Sequence, residues 1–282
     1  MITDGHKLIF QDLPGAPMKT SGKVTAEKIQ KINESEKFSV RSDNLPTWCP
    51  GCGYFGIHQG INNAIQELGI PHHMVMTVSG IGCAGRYPFF CNTYGLHTAH
   101  GRSLPVATGI KLASPDLTVF AVGGDGDGLG IGGAHLPHAS RKDININYIL
   151  FDNSIYGLTK GQPSPSTPAG TKTKASPYGS EGAPLNGTLM ALSYGASFVA
   201  RLFAGNPQSI TSALKQGIKH EGFSIYHVYS PCVTFDKQYK TWKNLKELVH
   251  PLPDDYDPSD LKEAMNTVLD DNFAMGIIYR RD

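Results

Sequence analysis

Two sets of residues in this chain have the types and the spacing to do chemistry. Cys49 and Cys52 stand three apart in "TWCPGCGYFGIH", in a protein with only five cysteines among its 282 residues. Cys83 follows in "SGIGC" and Cys232 in "YSPCVTF". A close thiol pair fits a redox disulfide, a zinc site or an iron–sulfur site. Four thiolates suit the last two equally well, because tetrahedral zinc and a [4Fe–4S] cluster take the same number of ligands. Cys91, the fifth, reads as a buried apolar thiol. The second set begins at "GGDGDG", which follows an apolar run, and Asn153 in "FDNSIYGL" lies 28 residues beyond Asp125. Glycines let the backbone approach phosphate oxygens, and a helix N-terminus favours their charge. One carboxylate (Asp125), one carboxamide (Asn153) and a backbone carbonyl such as that of Ile155 leave room on Mg²⁺ for a diphosphate and water. The bland alternative is an aspartate capping a helix and an asparagine in a turn. Asp127 itself reads as a first-turn helix charge.

These residues need a frame. Ile57, Ile61, Ala64, Ile65 and Leu68 recur at helical spacing from about Tyr54, and Gly69 with Pro71 stops the run. "MVMTVSG", "LTVFAVGG", "INYILFDNS" and "FSIYHVYSP" read as buried strands. Helices are expected in "LPVATGIKLASP", in "IGGAHLPHASRK", around residues 206–220 and from "PSDLKEAMNTVL". Apolar strands alternating with helices predict an α/β fold with a doubly wound, mostly parallel sheet. Ligands then bind at the carboxyl ends of the strands. Cys83 ends a strand on the same edge as the glycine-rich turn. A metal beside an organic cofactor favours electron transfer, for which zinc has no redox chemistry. The expected organisation is an N-terminal extension (1–45), a cofactor-binding domain (46–255) and a C-terminal helical extension (256–282). Residues 159–187, rich in Pro, Ser, Thr and Gly, are either a surface loop or a lid or partner-binding arm.

Composition narrows the class. Hydrophobic residues make up 40% and charged residues 17%, as in ordinary globular proteins. A net charge of +1 gives no broad basic face and argues against nucleic acid as a partner. No apolar run reaches membrane-spanning length, and "MITDGHKLIF" lacks a signal-peptide core. The expected compartment is the cytoplasm, where thiols stay reduced and a structural disulfide is disfavoured.

Six motifs, "CPGCG", "SGIGC", "HGR", "ATGIKLASP", "GDGD" and "DNSIYGLTKGQ", resemble in unbroken order the β subunits of 2-oxoacid:ferredoxin oxidoreductases, over about residues 46–235. The resemblance implies a thiamine diphosphate-binding fold and a [4Fe–4S] cluster on Cys49, Cys52, Cys83 and Cys232. It implies Mg²⁺ on Asp125, Asn153 and Ile155; Asp152–Asn153 stands where the family often has Asn–Asn. Ile81, Gly82, Cys83 and Ala84 would flank the thiazolium, and Gly126, Gly157 and Leu158 would contact the cofactor. His100 is a further candidate, its alternative being a loop histidine bonded to backbone. A metal pair of His97 with His100 is rejected for want of a third ligand. Arg86 and Lys160 are cations near the reacting centre. Arg86 stands where some relatives have lysine, and its bidentate grip on a distal carboxylate favours 2-oxoglutarate over pyruvate. The implied reaction is oxidative decarboxylation of a 2-oxoacid with coenzyme A, or its reversal, with ferredoxin as electron partner. An α subunit would supply a glutamate for the aminopyrimidine ring and much of the coenzyme A site, in an αβ or (αβ)2 assembly. The rivals are a non-redox thiamine-dependent decarboxylase or ligase with structural zinc, and a binding module stapled by its cysteines.

Overall fold

The runs VMTVS, TVFAVGG, NYILFD and SIYHVY are buried on both of their alternating faces, as strands covered by helices on each side must be. The computed structural model describes residues 40–235 and 240–281, and its sheet is the expected mostly parallel one. In chain order come α1 (Tyr54–Glu67), β1 (Val75–Ser79), β2 (Tyr94–His97), α2 (Ser103–Ala113), β3 (Thr118–Gly124), α3 (His135–Lys142) and β4 (Asn147–Asp152). A two-residue hairpin, β5 (Ile155–Tyr156) with β6 (Gln162–Pro163), precedes α4 (Gly187–Ser193), β7 (Phe198–Phe203), α5 (Pro207–Lys219) and β8 (Ser224–Tyr229). The chain continues through α6 (Lys240–Leu248), β9 (His250–Pro251), α7 (Leu261–Asp270) and β10 (Ala274–Arg280).

Among the described residues the main sheet has the order β2-β1-β3-β4-β8-β7-β10-β9. Every neighbour from β2 to β7 is parallel, and β10 runs antiparallel to β7. The pleat sends Phe120, Val122 and Phe151 to one face, where Ile57, Ile61 and Ile65 of α1 meet Ile210 and Leu214 of α5. Val119, Ala121 and Leu150 face the other side, against Leu136 of α3 and Ala264 and Val268 of α7. Helix α1 stops where expected, with Gly69 in the left-handed region at φ +64°.

Two boundaries differ from the sequence reading. The proposed extension lies outside the described residues as far as residue 39, but from residue 40 the chain packs on the domain. Val40 and Trp48 are buried, and the Asn92 amide donates to the Val40 carbonyl at 2.8 Å. Residues 256–282 are not helical throughout. After α7 the apolar run AMGIIYR adds β10 to the sheet, and Arg201, buried on β7, secures it by donating to the carbonyls of Ala274 (2.9 Å) and Asp271 (2.5 Å). Among the described residues no helix is long and apolar enough to cross a membrane.

Candidate cofactor and metal site

Strands β1, β3, β4 and β8 lie side by side in parallel, so their carboxyl ends share one edge. The chain leaves that edge at Gly80, Asp125, Asn153 and Ser230. Sequence positions far apart are thereby brought together. One half of the edge carries carboxylates and the other thiols.

The turn after β3 does not open directly into an α-helix. Gly126–Ile131 is a single wide, irregular turn, kinked at Gly130, and no side chain caps it. Asp125 is therefore not a helix cap. Its carboxylate accepts from the Asn153 amide (3.3 Å) and the Ser166 hydroxyl (3.0 Å). Burial and the charge of Asp152 push Asp125 up to about 7, against the hydrogen bonds from Ser164, Ser166 and the Asn153 amide. Asp152 goes the other way. Burial opposes its charge too, but the hydrogen bond and charge of His227, with Ser166 and the Ser154 amide, outweigh it and hold the carboxyl below its ordinary range. The His227 Nε2 contact is 2.8 Å, and the Ser166 hydroxyl lies within hydrogen-bond distance of both carboxylates. Asn153 donates its Nδ2 to the Tyr54 hydroxyl (2.9 Å), while its Oδ1 accepts from the Ile155 amide (3.1 Å) and keeps a lone pair. A buried carboxylate resisted by its neighbour, beside a carboxamide oxygen, is a donor set that a hard cation would relieve.

Asp127 stands in the first turn of this segment, as expected, but does more than supply a charge there. It is buried, and its Oδ1 accepts from the Ile81 amide (2.8 Å), the Gly101 amide (2.7 Å) and His100 Nδ1 (2.7 Å). Its Oδ2 is buried with no partner among the described residues. A Cβ on Gly80 would run into this carboxylate, so only glycine fits there. Asp127 thus pins the loop after β1 and the His100 loop to the turn after β3. His100 bonds a carboxylate rather than backbone and keeps a half-exposed ring. His97 turns away, to the Ser79 hydroxyl at 3.0 Å.

The thiols form the second half. Burial pushes Cys52 up to about 12 and Cys83 up to about 11, and the neighbouring cysteines add to both shifts. Cys232 is also raised, by burial and then by Cys49 and Asp125 among its neighbours. All four of Cys49, Cys52, Cys83 and Cys232 therefore lie within electrostatic reach of one another, and Asp125 is close enough to act on Cys232. A Cβ built on Gly157 would sit 3.6 Å from Cys83 Sγ, 3.8 Å from Cys232 Sγ and 3.9 Å from Asn153 Nδ2, so the two halves meet at this glycine. Among the described residues no three His, Cys, Asp or Glu side chains gather tightly enough to hold a single metal ion. Cys91 is buried apart, its thiol donating to the Tyr87 carbonyl at 3.5 Å.

The remaining residues are placed as follows. Arg86 is half-buried, with its guanidinium 6.0 Å above the Phe90 ring and its charge acting on the Cys83 thiol. Lys160 is exposed; its amide donates to the Gly157 carbonyl (3.2 Å) in a turn where its own φ is +87°. Leu158 is exposed, Ala84 is buried, and a Cβ on Gly82 would meet open space. The Gly126 carbonyl accepts from the Tyr156 hydroxyl at 3.0 Å. Sequence reasoning missed Ser166, His227 and Tyr54. Ser166 belongs to the segment read as loop or lid, which here folds its Ser164–Thr167 stretch inward as buried residues.

Residues 73–228 match the family model of the thiamine pyrophosphate enzyme C-terminal TPP binding domain, and residues 232–282 match that of the C terminal of the pyruvate ferredoxin oxidoreductase β chain. The first match alone defines the class: a thiamine diphosphate-binding enzyme domain. The 2-oxoacid:ferredoxin oxidoreductase subunit β of Sulfolobus sp. is 41% identical, over 83% of this chain and 82% of that one. The 2-oxoglutarate oxidoreductase subunit KorB of Mycobacterium tuberculosis is 42% identical over 77% of this chain, but the match spans only 57% of its own length. A solved 2-oxoglutarate:ferredoxin oxidoreductase from Magnetococcus marinus, with 2-oxoglutarate, coenzyme A and succinyl-CoA bound, superposes with a TM-score of 0.84 at 43% identity, covering 88% of this chain and 86% of that one. The chain belongs to the family of 2-oxoacid:ferredoxin oxidoreductase β subunits.

Proposed function

We propose that this chain is the β subunit of a cytoplasmic 2-oxoglutarate:ferredoxin oxidoreductase, which converts 2-oxoglutarate and coenzyme A to succinyl-CoA and CO₂ while reducing ferredoxin, or runs the reverse carboxylation. One observation carries the reading: Cys83, Cys232 and Asn153 meet at Gly157 on the carboxyl edge of one parallel sheet, with Cys49 and Cys52 in electrostatic reach of those sulfurs and Asp125 accepting the Asn153 amide. Bound thiamine diphosphate supplies the electron sink for decarboxylating a 2-oxoacid. Asp125 and Asn153, with the Ile155 backbone, would hold Mg²⁺ and through it the diphosphate. Ile81 to Ala84 present the loop after β1 to the cofactor, and Asp127 fixes that loop by accepting the Ile81 amide. His100, Gly126, Gly157 and Leu158 complete the cofactor contacts. Arg86 and Lys160 would recognise substrate anions.

The thiols support a [4Fe–4S] cluster over zinc. Burial opposes the ionisation of Cys52, Cys83 and Cys232, which any bound metal would relieve, but no side chains gather tightly enough for a single ion among the described residues, and a cubane holds its thiolates farther apart. The Magnetococcus enzyme's bound 2-oxoglutarate and coenzyme A favour those substrates. The site is completed by an α subunit, and αβ or (αβ)2 is the expected assembly. The test is to co-purify the chain with its α subunit, measure iron and acid-labile sulfide, and compare ferredoxin reduction with 2-oxoglutarate and with pyruvate. Iron-bearing complex faster on 2-oxoglutarate, and no turnover by the chain alone, is the expected result. Equal rates would remove the case for Arg86, and zinc in place of iron would overturn the redox reading.

A further inference from the structure

Asp152 stands where the family often has asparagine, so this chain carries an extra carboxylate beside the proposed cation site. It ends β4, next to the candidate ligand Asn153, and is buried to 6% exposure. Its oxygens are ringed by donors. The Ser154 amide (2.9 Å), the Ser154 hydroxyl (3.2 Å) and the Ser166 hydroxyl (2.8 Å) approach Oδ1, and His227 Nε2 approaches Oδ2 at 2.8 Å. His227 is itself buried and is braced at Nδ1 by the Thr188 hydroxyl, 2.9 Å away. An ionised carboxyl accepts and never donates, so this ring of donors suits the charged form. With Oδ1 crowded by donors and Oδ2 bonded to His227, Asp152 is committed to the protein. Ser166 connects it to Asp125, because the same hydroxyl lies 3.0 Å from Asp125 Oδ2. One hydroxyl has one proton and cannot satisfy two carboxylates. Two buried acidic groups therefore stand a single hydroxyl apart, where water screens their charges poorly.

We propose that Asp152 is an outer carboxylate of the cation site: it coordinates nothing, yet its charge, held by His227, strengthens the attraction for a divalent metal at Asp125 and Asn153. The same charge repels a bare diphosphate, so it makes cofactor binding depend more steeply on the metal. Asparagine at this position would leave the metal a single carboxylate to answer. The inference rests on the cation assignment proposed above and deepens it.

The test uses the cofactor-depleted αβ complex carrying Asp152→Asn, which is close in shape and removes the charge. The new carboxamide nitrogen can face His227 once the ring exchanges its donor and acceptor sides, because the Thr188 hydroxyl serves either. Calorimetry reads thiamine diphosphate binding at a series of Mg²⁺ concentrations. The expected result is a half-saturating Mg²⁺ concentration raised about tenfold, the scale on which outer-shell partners act. The titration is repeated with Ca²⁺ and Tb³⁺, ions of similar size and unequal charge. A larger loss is expected for Tb³⁺, because Coulomb energy grows with the charge of the ion. Asp143→Asn removes a carboxylate that accepts from Ser197 and the Phe223 amide, ahead of β4 at the other edge of the sheet. It is expected to leave the Mg²⁺ requirement in place. A folded Asp152→Asn complex with an unchanged Mg²⁺ requirement overturns the inference. So do equal losses for Ca²⁺ and Tb³⁺, which would point to shape rather than charge, and an equal loss in Asp143→Asn. Should Asp152→Asn not fold, Asp152→Ser is read against the same outcomes. A wild-type complex that binds thiamine diphosphate without any divalent metal would sink the cation assignment itself, and this inference with it.

Discussion

At the carboxyl edge of β3 and β4, buried carboxylates are held by donors recruited from distant parts of the chain: Ser166 on Asp125, His227 on Asp152, His100 and two amides on Asp127. The thiols beside them are only half-buried, apart from exposed Cys49, and have fewer donors: the neighbouring Thr234 and Phe235 amides on Cys232 and, across 185 residues of sequence, the Thr234 hydroxyl on Cys49. The first region is shaped by the protein's own hydrogen bonds before any cation arrives. The second brings four thiols together, three of them with ionisation opposed by burial. Folding therefore organises the first half unaided, and under the proposed function metal uptake would finish the second.

Substitutions sharpen that contrast. The largest effect is expected on the thiol side, where Cys52→Ser should abolish iron incorporation while Cys91→Ser, at a thiol of the same chain bonded only to the Tyr87 carbonyl, retains it. Iron analysis and visible absorption of the co-purified complex decide the matter, and equal losses would erase the distinction between the two cysteines. Asp125→Asn should leave the fold intact and weaken Mg²⁺-dependent thiamine diphosphate binding beyond the roughly 10–100-fold cost of removing an outer-shell partner, measured by calorimetry. His227→Ala should lower unfolding free energy by about 1.5–3 kcal/mol, because a buried carboxylate loses a hydrogen-bond donor; denaturant titration reads this directly. The pair also sets an acid response. Asp152 titrates below its unfolded value of 3.8, so the stabilisation it confers is fully present above that value and is lost as pH falls through the folded one. Wild-type protein should therefore lose stability on acidification more steeply than His227→Ala, and parallel curves would contradict the assignment. The smallest effect belongs to Ser166→Ala, about 1.5 kcal/mol for one hydroxyl serving a charged group, with no change in iron content.

The parallel core was legible because β1, β3, β4 and β8 are buried on both faces and read as unbroken apolar runs. Strand β2 was not, since YGLH is an edge strand exposed along its length and carries no burial pattern. In β7 the run FVARLF hides a buried arginine, whose partners lie 70 and 73 residues away and cannot be seen locally. The site divided along the same line. Asp125 and Asn153 could be read because glycines and strand ends mark them. Asp127 read only as a first-turn helix charge because its amide partners are 46 and 26 residues off in sequence. Ser166 sat in a stretch whose composition suggests solvent, and only the fold turns its hydroxyl onto Asp125, 41 residues earlier.

The reversed direction of β10 has a practical outcome. Because it runs against β7, its last residues finish where the other strands begin, and the Arg281 amide ties them to the Ser197 carbonyl at 2.8 Å. A tether fused after that point would leave on the face opposite the cysteines. Anchored to a support in this way, the molecule would turn its thiol-bearing rim outward.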